Sequence, residues 1–264
     1  MKKEKILVNI ENLNEIDKYK KIGINNFLFA VNEFSIGYNS FKLDDIKNIT
    51  GNKFLYINKI LNCDDVNKLK EMVEEFLLFD GIIFEDIAVY NIFKDKNINL
   101  IWNQNHFATN YSSLNYWLEL VDSVVISNEL TNLEVNDILN KSNKNLILNV
   151  FGKSPVMYSR RTLLSNFNKN FNLNDNKNVI LNEPLTNNAF NAIENEFGTI
   201  LFNNTHFNLI PYLNELNNEK ILYYLIFPNG LEFNEVNNYI NGKINGTTDG
   251  FRNKKTIYKL GVKK

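Results

Sequence analysis

Two adjacent arginines are the most chemically distinctive residues of this sequence. Arg160 and Arg161 are two of only three arginines in a chain whose remaining cations are lysines. Where lysine is so strongly favoured, a retained guanidinium indicates a need for its planar, two-pronged geometry, which lysine cannot reproduce. We therefore expect the pair, together with Lys153 in the same basic patch, to bind a phosphate or a carboxylate. The alternative is an ion pair to Glu129 or Asp86 that ties the loop to the rest of the protein.

Carboxylates and one histidine follow several apolar segments and could transfer protons. Glu85, Asp86, His106 and Glu129 are the candidates for this acid–base chemistry. For His106 the alternative is a structural, hydrogen-bonded histidine. By residue type, Ser159, His106 and Asp86 could form a nucleophilic triad. The sequence, however, lacks the Gly-x-Ser-x-Gly turn that presents such a serine.

Several other kinds of site have no sign in the sequence. It contains no HExxH, GxGxxG or GxxxxGK[ST] motif, which removes the usual indications of zinc peptidase, dinucleotide and P-loop sites. The single cysteine, Cys63, excludes an internal disulfide and a cysteine-ligated cluster. No metal site is predicted, since His106 would need carboxylates from separate segments. We expect no cofactor.

The charge and hydropathy of the sequence limit where the protein can be located and what it can bind. A formal net charge of −1 and a pI near 6.2 give no overall attraction to nucleic acid or membrane. No segment approaches the ~18 apolar residues of a membrane span, and the first ten residues do not form a secretory signal. A cytoplasmic protein is therefore expected.

The elements that must position these residues follow from the hydrophobic pattern. Short apolar segments alternate with amphipathic ones, which is typical of parallel strands joined by helices. Eight such strands predict a TIM-like (βα)8 barrel that forms a single domain over residues 1–264. The predicted strands are Ile6–Ile10, Phe27–Val31, Phe54–Ile57, Gly81–Phe84, Leu100–Trp102, Ser123–Ile126, Leu146–Val150 and Ile221–Phe227.

An insertion follows the seventh predicted strand. Residues 168–208 separate that strand from the last helix–strand pair, which is long for a loop inside a compact domain. Within it, Asn178–Leu181 and Thr199–Phe202 have the composition of strands. A hairpin-like insertion is therefore expected.

A barrel would gather the polar residues that follow its strands on one face, where barrel enzymes build their sites. Polar strand ends face water in any barrel, so this placement alone does not distinguish ligand contacts from solvated residues. The predicted catalytic residues on this face are Glu85, Asp86, His106 and Glu129, and the predicted substrate-binding residues are Tyr158, Ser159, Arg160 and Arg161.

Four segments carry a family resemblance. Ile82–Val89 is an apolar strand that ends in aspartate before a small-residue turn, and Val124–Thr131 is an apolar strand followed by Glu-Leu-Thr. Phe151–Ser165 contains a glycine, then Tyr-Ser, then Leu-Leu-Ser, and Gly250–Lys259 joins a glycine–aromatic pair to Ile-Tyr-Lys. In this order and spacing, the chain resembles the collagenase-like peptidase family, number 32 of the unknown catalytic type.

The resemblance implies a TIM-like barrel and several functions. Members include proteins described as proteases, RNA base hydroxylases and anaerobic ubiquinone-hydroxylation factors, and several hold an iron–sulfur cluster on four cysteines. Here Pro155 and Thr162 occupy two signature positions that are cysteine in cluster-bearing members. The resemblance thus implies a cluster-free barrel enzyme, a peptidase by name, acting on a small anionic molecule, a peptide or RNA. The alternative is a non-catalytic partner of a cluster-bearing member.

Overall fold

The computed structural model describes residues 1–104, 106–185 and 188–254 of the chain. Eight parallel strands close into a barrel in the order β1-β14-β8-β7-β6-β5-β4-β2, and β2 pairs with β1 to close the ring. The strands are, in chain order, β1 (Ile6–Asn9), β2 (Asn26–Val31), β3 (Ser40–Phe41), β4 (Asn52–Ile57), β5 (Gly81–Phe84), β6 (Asn99–Trp102), β7 (Ser123–Ile126), β8 (Leu146–Gly152), β9 (Pro155–Ser159), β10 (Asn178–Asn182), β11 (Ala189–Asn195), β12 (Gly198–Asn203), β13 (Phe207–Asn208) and β14 (Ile221–Ile226).

Helices connect the barrel strands and form the outer layer. The prediction of a TIM-like (βα)8 barrel is confirmed, and all eight predicted strands are present. The helical segment before the fourth barrel strand is broken at Met72 into two shorter helices. The α-helices are α1 (Ile16–Lys21), α2 (Leu43–Ile46), α3 (Cys63–Glu71), α4 (Val73–Phe76), α5 (Ile87–Phe93), α6 (Tyr111–Leu120), α7 (Asn132–Lys141), α8 (Leu163–Asn170) and α9 (Phe233–Ile240), and short 3₁₀ helices cover Lys3–Lys5, Leu13–Glu15, Ile210–Glu215 and Asn218–Lys220.

The alternation of side chains along each strand divides the core in two. Along β5, Ile82 and Phe84 pack in the cluster between the barrel and the helices, whereas Ile83 belongs to the cluster inside the barrel. Tyr56 of β4 and Ile147 of β8 also point inward. Side chains along a strand alternate between the two faces with a period of two residues. A residue that follows the end of a strand, two positions after an inward side chain, therefore points into the mouth of the barrel.

The helix starts are capped by side chains that the sequence places at the ends of strands. Asp86 caps α5 by accepting a hydrogen bond from the Ala88 N–H, at 2.9 Å. Thr131 and Glu134 form a capping box at the start of α7. The Asp and the Glu-Leu-Thr landmarks of the sequence therefore lie where strands turn into helices.

The insertion is a four-stranded antiparallel sheet with the order β10-β11-β12-β9. Both strands predicted there are present, but β11 lies between them and β9 adds a fourth strand. In this second sheet Ile200 and Phe202 pack with Ile36 next to the barrel mouth. β9 and β11 were not predicted from the sequence. That residues 1–264 form one domain stays a prediction.

Across the described parts of the chain, no helix has the length and apolar character needed to cross a membrane.

Candidate functional site

A cavity of about 200 Å³ lies at the C-terminal mouth of the barrel, where the second sheet approaches the strand ends. Inward-pointing positions supply its floor, each two residues beyond an inward core residue: Glu85 follows Ile83, Asn103 follows Ile101, and Asn149 follows Ile147. Side chains from the insertion and from the loops complete its walls, including Tyr38, Lys153, Met157, Tyr158 and Ile200.

Glu85 is the central titratable group of this cavity. The Tyr56 hydroxyl donates a hydrogen bond to Glu85 Oε1 at 2.7 Å, and Asn103 Nδ2 donates to the Tyr56 oxygen at 3.1 Å. Burial raises the pKa of Glu85 to about 8, although the hydrogen bond from Tyr56 lowers it in part. The carboxyl group is therefore mostly protonated at neutral pH and can act as a proton donor.

Aromatic rings fix the position of Tyr56. Tyr38 packs edge-on against Tyr56, with ring centroids 5.4 Å apart, and also contacts Phe202 and Phe227 at 5.6 and 5.1 Å. Gly37 makes this packing possible, because a Cβ there would lie 2.6 Å from Ile200 Cγ2 and the residue has a φ of +80°. The second sheet is thus packed directly against the residues that hold the donor to Glu85.

The Asn149 amide and the Lys153 amine line the cavity and are available to contact a polar ligand. Asn149 Oδ1 is shielded from solvent and has no hydrogen-bond partner among the described residues. A buried carbonyl oxygen without a donor is uncommon and suits a ligand that brings one. Lys153 also lines the cavity; burial lowers the pKa of its amine, while nearby Glu11 raises it. These two residues can recognise a polar or anionic group.

The predicted catalytic residues have different placements. Asp86 accepts hydrogen bonds from the backbone N–H groups of Leu61 and Ala88, both at 2.9 Å, and so holds the β5–α5 connection. His106 lies on the cavity rim with its Nδ1 3.4 Å from Glu129 Oε1. The nucleophile considered from the sequence is not assembled, since Ser159, His106 and Asp86 have separate partners.

Of the predicted substrate-binding residues, Tyr158 lines the cavity and donates a hydrogen bond to the Phe197 carbonyl at 3.3 Å. Ser159 Oγ accepts a hydrogen bond from the Arg161 N–H at 3.2 Å and ends β9. Arg160 and Arg161 are exposed and do not line the cavity. Within the described residues they form no ion pair, so the proposed link to Glu129 or Asp86 is not observed.

The Leu-Leu-Ser landmark has a structural explanation in Glu194 of β11. This buried carboxylate accepts hydrogen bonds from the N–H groups of Leu164 and Ser165 at 2.7 and 3.1 Å, and from the hydroxyls of Ser165 and Thr199 at 2.5 and 2.7 Å. Burial raises the pKa of Glu194, but these bonds outweigh burial and lower it below its ordinary value. Glu194 thereby ties the first turn of α8 to the second sheet.

The residues present do not fit the iron–sulfur cluster that the sequence resemblance brings into consideration. Pro155 lies in the cavity wall and Thr162 precedes α8, and neither has a thiol. The single cysteine, Cys63, is exposed at the start of α3. A cluster held by four thiolates has no donor set here. In the described ranges, no group of three or more His, Cys, Asp or Glu side chains could hold a metal ion.

Residues that the sequence analysis missed form much of the cavity. Tyr56 and Asn149 were not predicted as site residues. The signal that could have found them is strand alternation, which separates inward from outward positions. Part of the fourth landmark, residues 255–259, lies outside the described residues, whereas Gly250 and Phe251 lie within them.

Comparisons with known proteins agree with the sequence landmarks. A search of the curated proteins finds no match. Among solved structures, the spore cortex-lytic enzyme SleL of Bacillus cereus matches with a TM-score of 0.44 and 10% identity, over 93% of this chain and 76% of that one. The model of Peptidase family U32 matches residues 11–226. The chain therefore belongs to Peptidase family U32.

Proposed function

We propose that this protein is an enzyme without an iron–sulfur cluster that binds a small anionic molecule at the barrel mouth and uses Glu85 to exchange a proton with it. One observation carries the proposal. A carboxyl group with its pKa raised to about 8 lies in a cavity that opens at the face where barrel enzymes place their sites. A cytoplasmic location, expected from the sequence, is part of the same proposal.

The roles of the residues follow from their contacts. Glu85 donates a proton from its neutral form and can take one back after ionising, because its pKa lies near neutral pH. Tyr56 orients the carboxyl group by donating a hydrogen bond to it, and Asn103 holds Tyr56 by donating a hydrogen bond to the Tyr56 oxygen. Lys153 attracts the anionic group, and the free oxygen of Asn149 accepts a hydrogen bond from the ligand.

Among the substrate classes that the sequence leaves open, the small anion is favoured by size and charge. A cavity of about 200 Å³ accommodates a small molecule or one end of a larger one, and Lys153 supplies a positive charge. The family name includes the word peptidase, but the serine and histidine considered as a nucleophile pair make separate contacts here. We therefore propose proton transfer rather than nucleophilic cleavage.

A ligand screen followed by a turnover assay tests this proposal. Small carboxylates, phosphates, short peptides and nucleosides are tested for raising the thermal unfolding temperature, and each stabilising compound is incubated with the protein and analysed by mass spectrometry. We expect Glu85→Gln to bind the same compound and to lose on the order of 100-fold or more in turnover. Lys153→Met should weaken binding of anionic compounds, whereas Glu119→Gln, on the exposed face of α6, is the control. Unchanged turnover in Glu85→Gln would overturn the proposal.

A further inference from the structure

An open cleft of about 540 Å³ adjoins the cavity at the rim of the barrel. It lies between the β5–α5 connection and the β6–α6 connection, and it shares Ile60, Glu85 and Gln104 with the cavity. The two spaces therefore adjoin at Glu85. A ligand whose polar end reaches Glu85 has this cleft next to it.

Apolar and aromatic side chains form most of the cleft surface. Trp102 and Trp117 stack on each other at its inner end, with ring centroids 4.1 Å apart and planes inclined by 19°. Ile60, Ile87 and Phe107 surround the opening and are 46%, 47% and 66% exposed. Single exposed apolar side chains are ordinary, but three around one concave surface beside a candidate site are typical of a binding surface.

We infer that this cleft, the aromatic cleft, binds an uncharged aromatic ring that belongs to the molecule whose polar end occupies the cavity. The assignment of the ring and the polar end to one molecule rests on the proposed function. Binding of the ring itself rests on the cleft alone. The substrate would then be an amphipathic small molecule with an anionic or polar end and a planar apolar end.

The charge pattern of the cleft favours a ring without charge. No lysine or arginine is among the described residues that line it. Its two carboxyl groups offer little to a cation: Glu85 has a raised pKa and is mostly neutral, and Asp86 accepts hydrogen bonds from two backbone N–H groups. Flat faces of Trp and Phe give a planar ring more contact than they give a puckered aliphatic one.

The two tryptophans that line the cleft are the only two in the chain, so intrinsic fluorescence reports on the cleft directly. The full-length protein is titrated with phenylacetamide and, in parallel, with cyclohexylacetamide, under excitation selective for tryptophan. We expect a saturable change with phenylacetamide and weaker binding of the cyclohexyl compound. Phe107→Ala removes an exposed wall and should raise the Kd about tenfold, the equivalent of one lost aromatic contact. Leu133→Ala, an exposed apolar residue at 83% on α7, is the matched control and should bind as the wild type does.

The outcomes separate this inference from the proposed function. A response that saturates, prefers the aromatic ring and weakens in Phe107→Ala but not in Leu133→Ala supports the aromatic cleft. No saturable response, equal binding of the two compounds, or wild-type binding by a folded Phe107→Ala would each overturn it. Unfolding curves establish that both variants are folded. Loss of turnover in Glu85→Gln without ring binding would refute the cleft alone, and ring binding with unchanged turnover would refute only the proposed function.

Discussion

Replacing Glu85 with glutamine should make the protein more stable at neutral pH. The pKa of Glu85 is raised from 4.5 to about 8 in the folded protein, chiefly by burial. Between these values the folded state binds more protons than the unfolded state, so the free energy of unfolding falls as the pH rises through this window. Glutamine has no proton to lose, can still accept the hydrogen bond from Tyr56 and resembles the protonated side chain in shape.

The size of the effect follows from the shift. A difference of about 3.5 pKa units, at about 1.4 kcal/mol per unit, sets a limit of about 5 kcal/mol above pH 8. At pH 7 the folded carboxyl is still mostly protonated, and the cost to the wild type is about 3 kcal/mol. At pH 5 it is below about 1 kcal/mol, because the unfolded carboxyl is then only partly ionised. The advantage of Glu85→Gln should therefore grow by about 3 to 4 kcal/mol from pH 5 to pH 8.

Urea unfolding at several pH values measures this difference directly. Wild type, Glu85→Gln and the exposed control Glu119→Gln are compared, and the control should follow the wild type at every pH. Titration of the Glu85 carboxyl by ¹³C NMR gives its pKa independently. Parallel stability profiles for wild type and Glu85→Gln, together with a carboxyl that titrates near its ordinary pKa, would refute the reasoning and remove the observation that carries the proposed function. A stabilising substitution at this position fits a residue kept for activity at a cost in stability.

Three further predictions concern the insertion and the cluster. Glu194→Gln should lower the free energy of unfolding at neutral pH by roughly 2 kcal/mol, because a buried carboxylate that accepts four hydrogen bonds is lost. The pKa of Glu194 is lower in the folded protein than in the unfolded chain, so its stabilising contribution is present above the unfolded pKa and is lost as the pH falls through the folded pKa. A destabilisation by Glu194→Gln that stays equally large in acid would contradict this prediction. Arg160→Lys or Arg161→Lys should weaken phosphate binding by on the order of 1–3 kcal/mol and leave the melting temperature unchanged, whereas a lowered melting temperature with intact phosphate response would show a structural role. Anaerobically purified protein should lack the broad visible absorbance of an iron–sulfur cluster, since Cys63 is the only thiol; stoichiometric iron and sulfide would disprove this.

The sequence predicted the barrel well because its strands are buried on both sides. Strands such as Gly81–Phe84 read as short continuous apolar segments, and the structure begins and ends that strand at the same residues. Two strands of the second sheet, Pro155–Ser159 and Ala189–Asn195, were missed. The first has no buried residue and the second has only two, so neither shows a clear apolar pattern. Their pairing depends on contacts between segments far apart in the chain.

The site was predicted in part, and strand alternation explains the difference between neighbours. Glu85 and Asp86 are adjacent carboxylates with the same apparent chemistry. Ile83 points into the barrel, so Glu85 also points inward and is desolvated there, whereas Asp86 follows Phe84 toward the helix layer and caps α5. The sequence therefore contains the distinction between the proposed proton donor, Glu85, and the helix cap, Asp86. Tyr56 could be found by the same rule, but Tyr38 comes from a loop whose position depends on tertiary packing.

The three arginines show what residue type alone can and cannot predict. Arg252 forms an ion pair with Glu215 and stacks on Tyr212, with its guanidinium carbon 3.7 Å from the ring centroid, so its planar geometry serves the fold. Arg160 and Arg161 have no such partner within the described residues and are exposed at the end of β9. A guanidinium without an ion-pair partner among the described residues can offer its planar geometry to a ligand. The planar guanidinium of Arg252 therefore has a structural role. Anion binding stays the prediction for Arg160 and Arg161, which lie at the edge of the sheet that covers the barrel mouth.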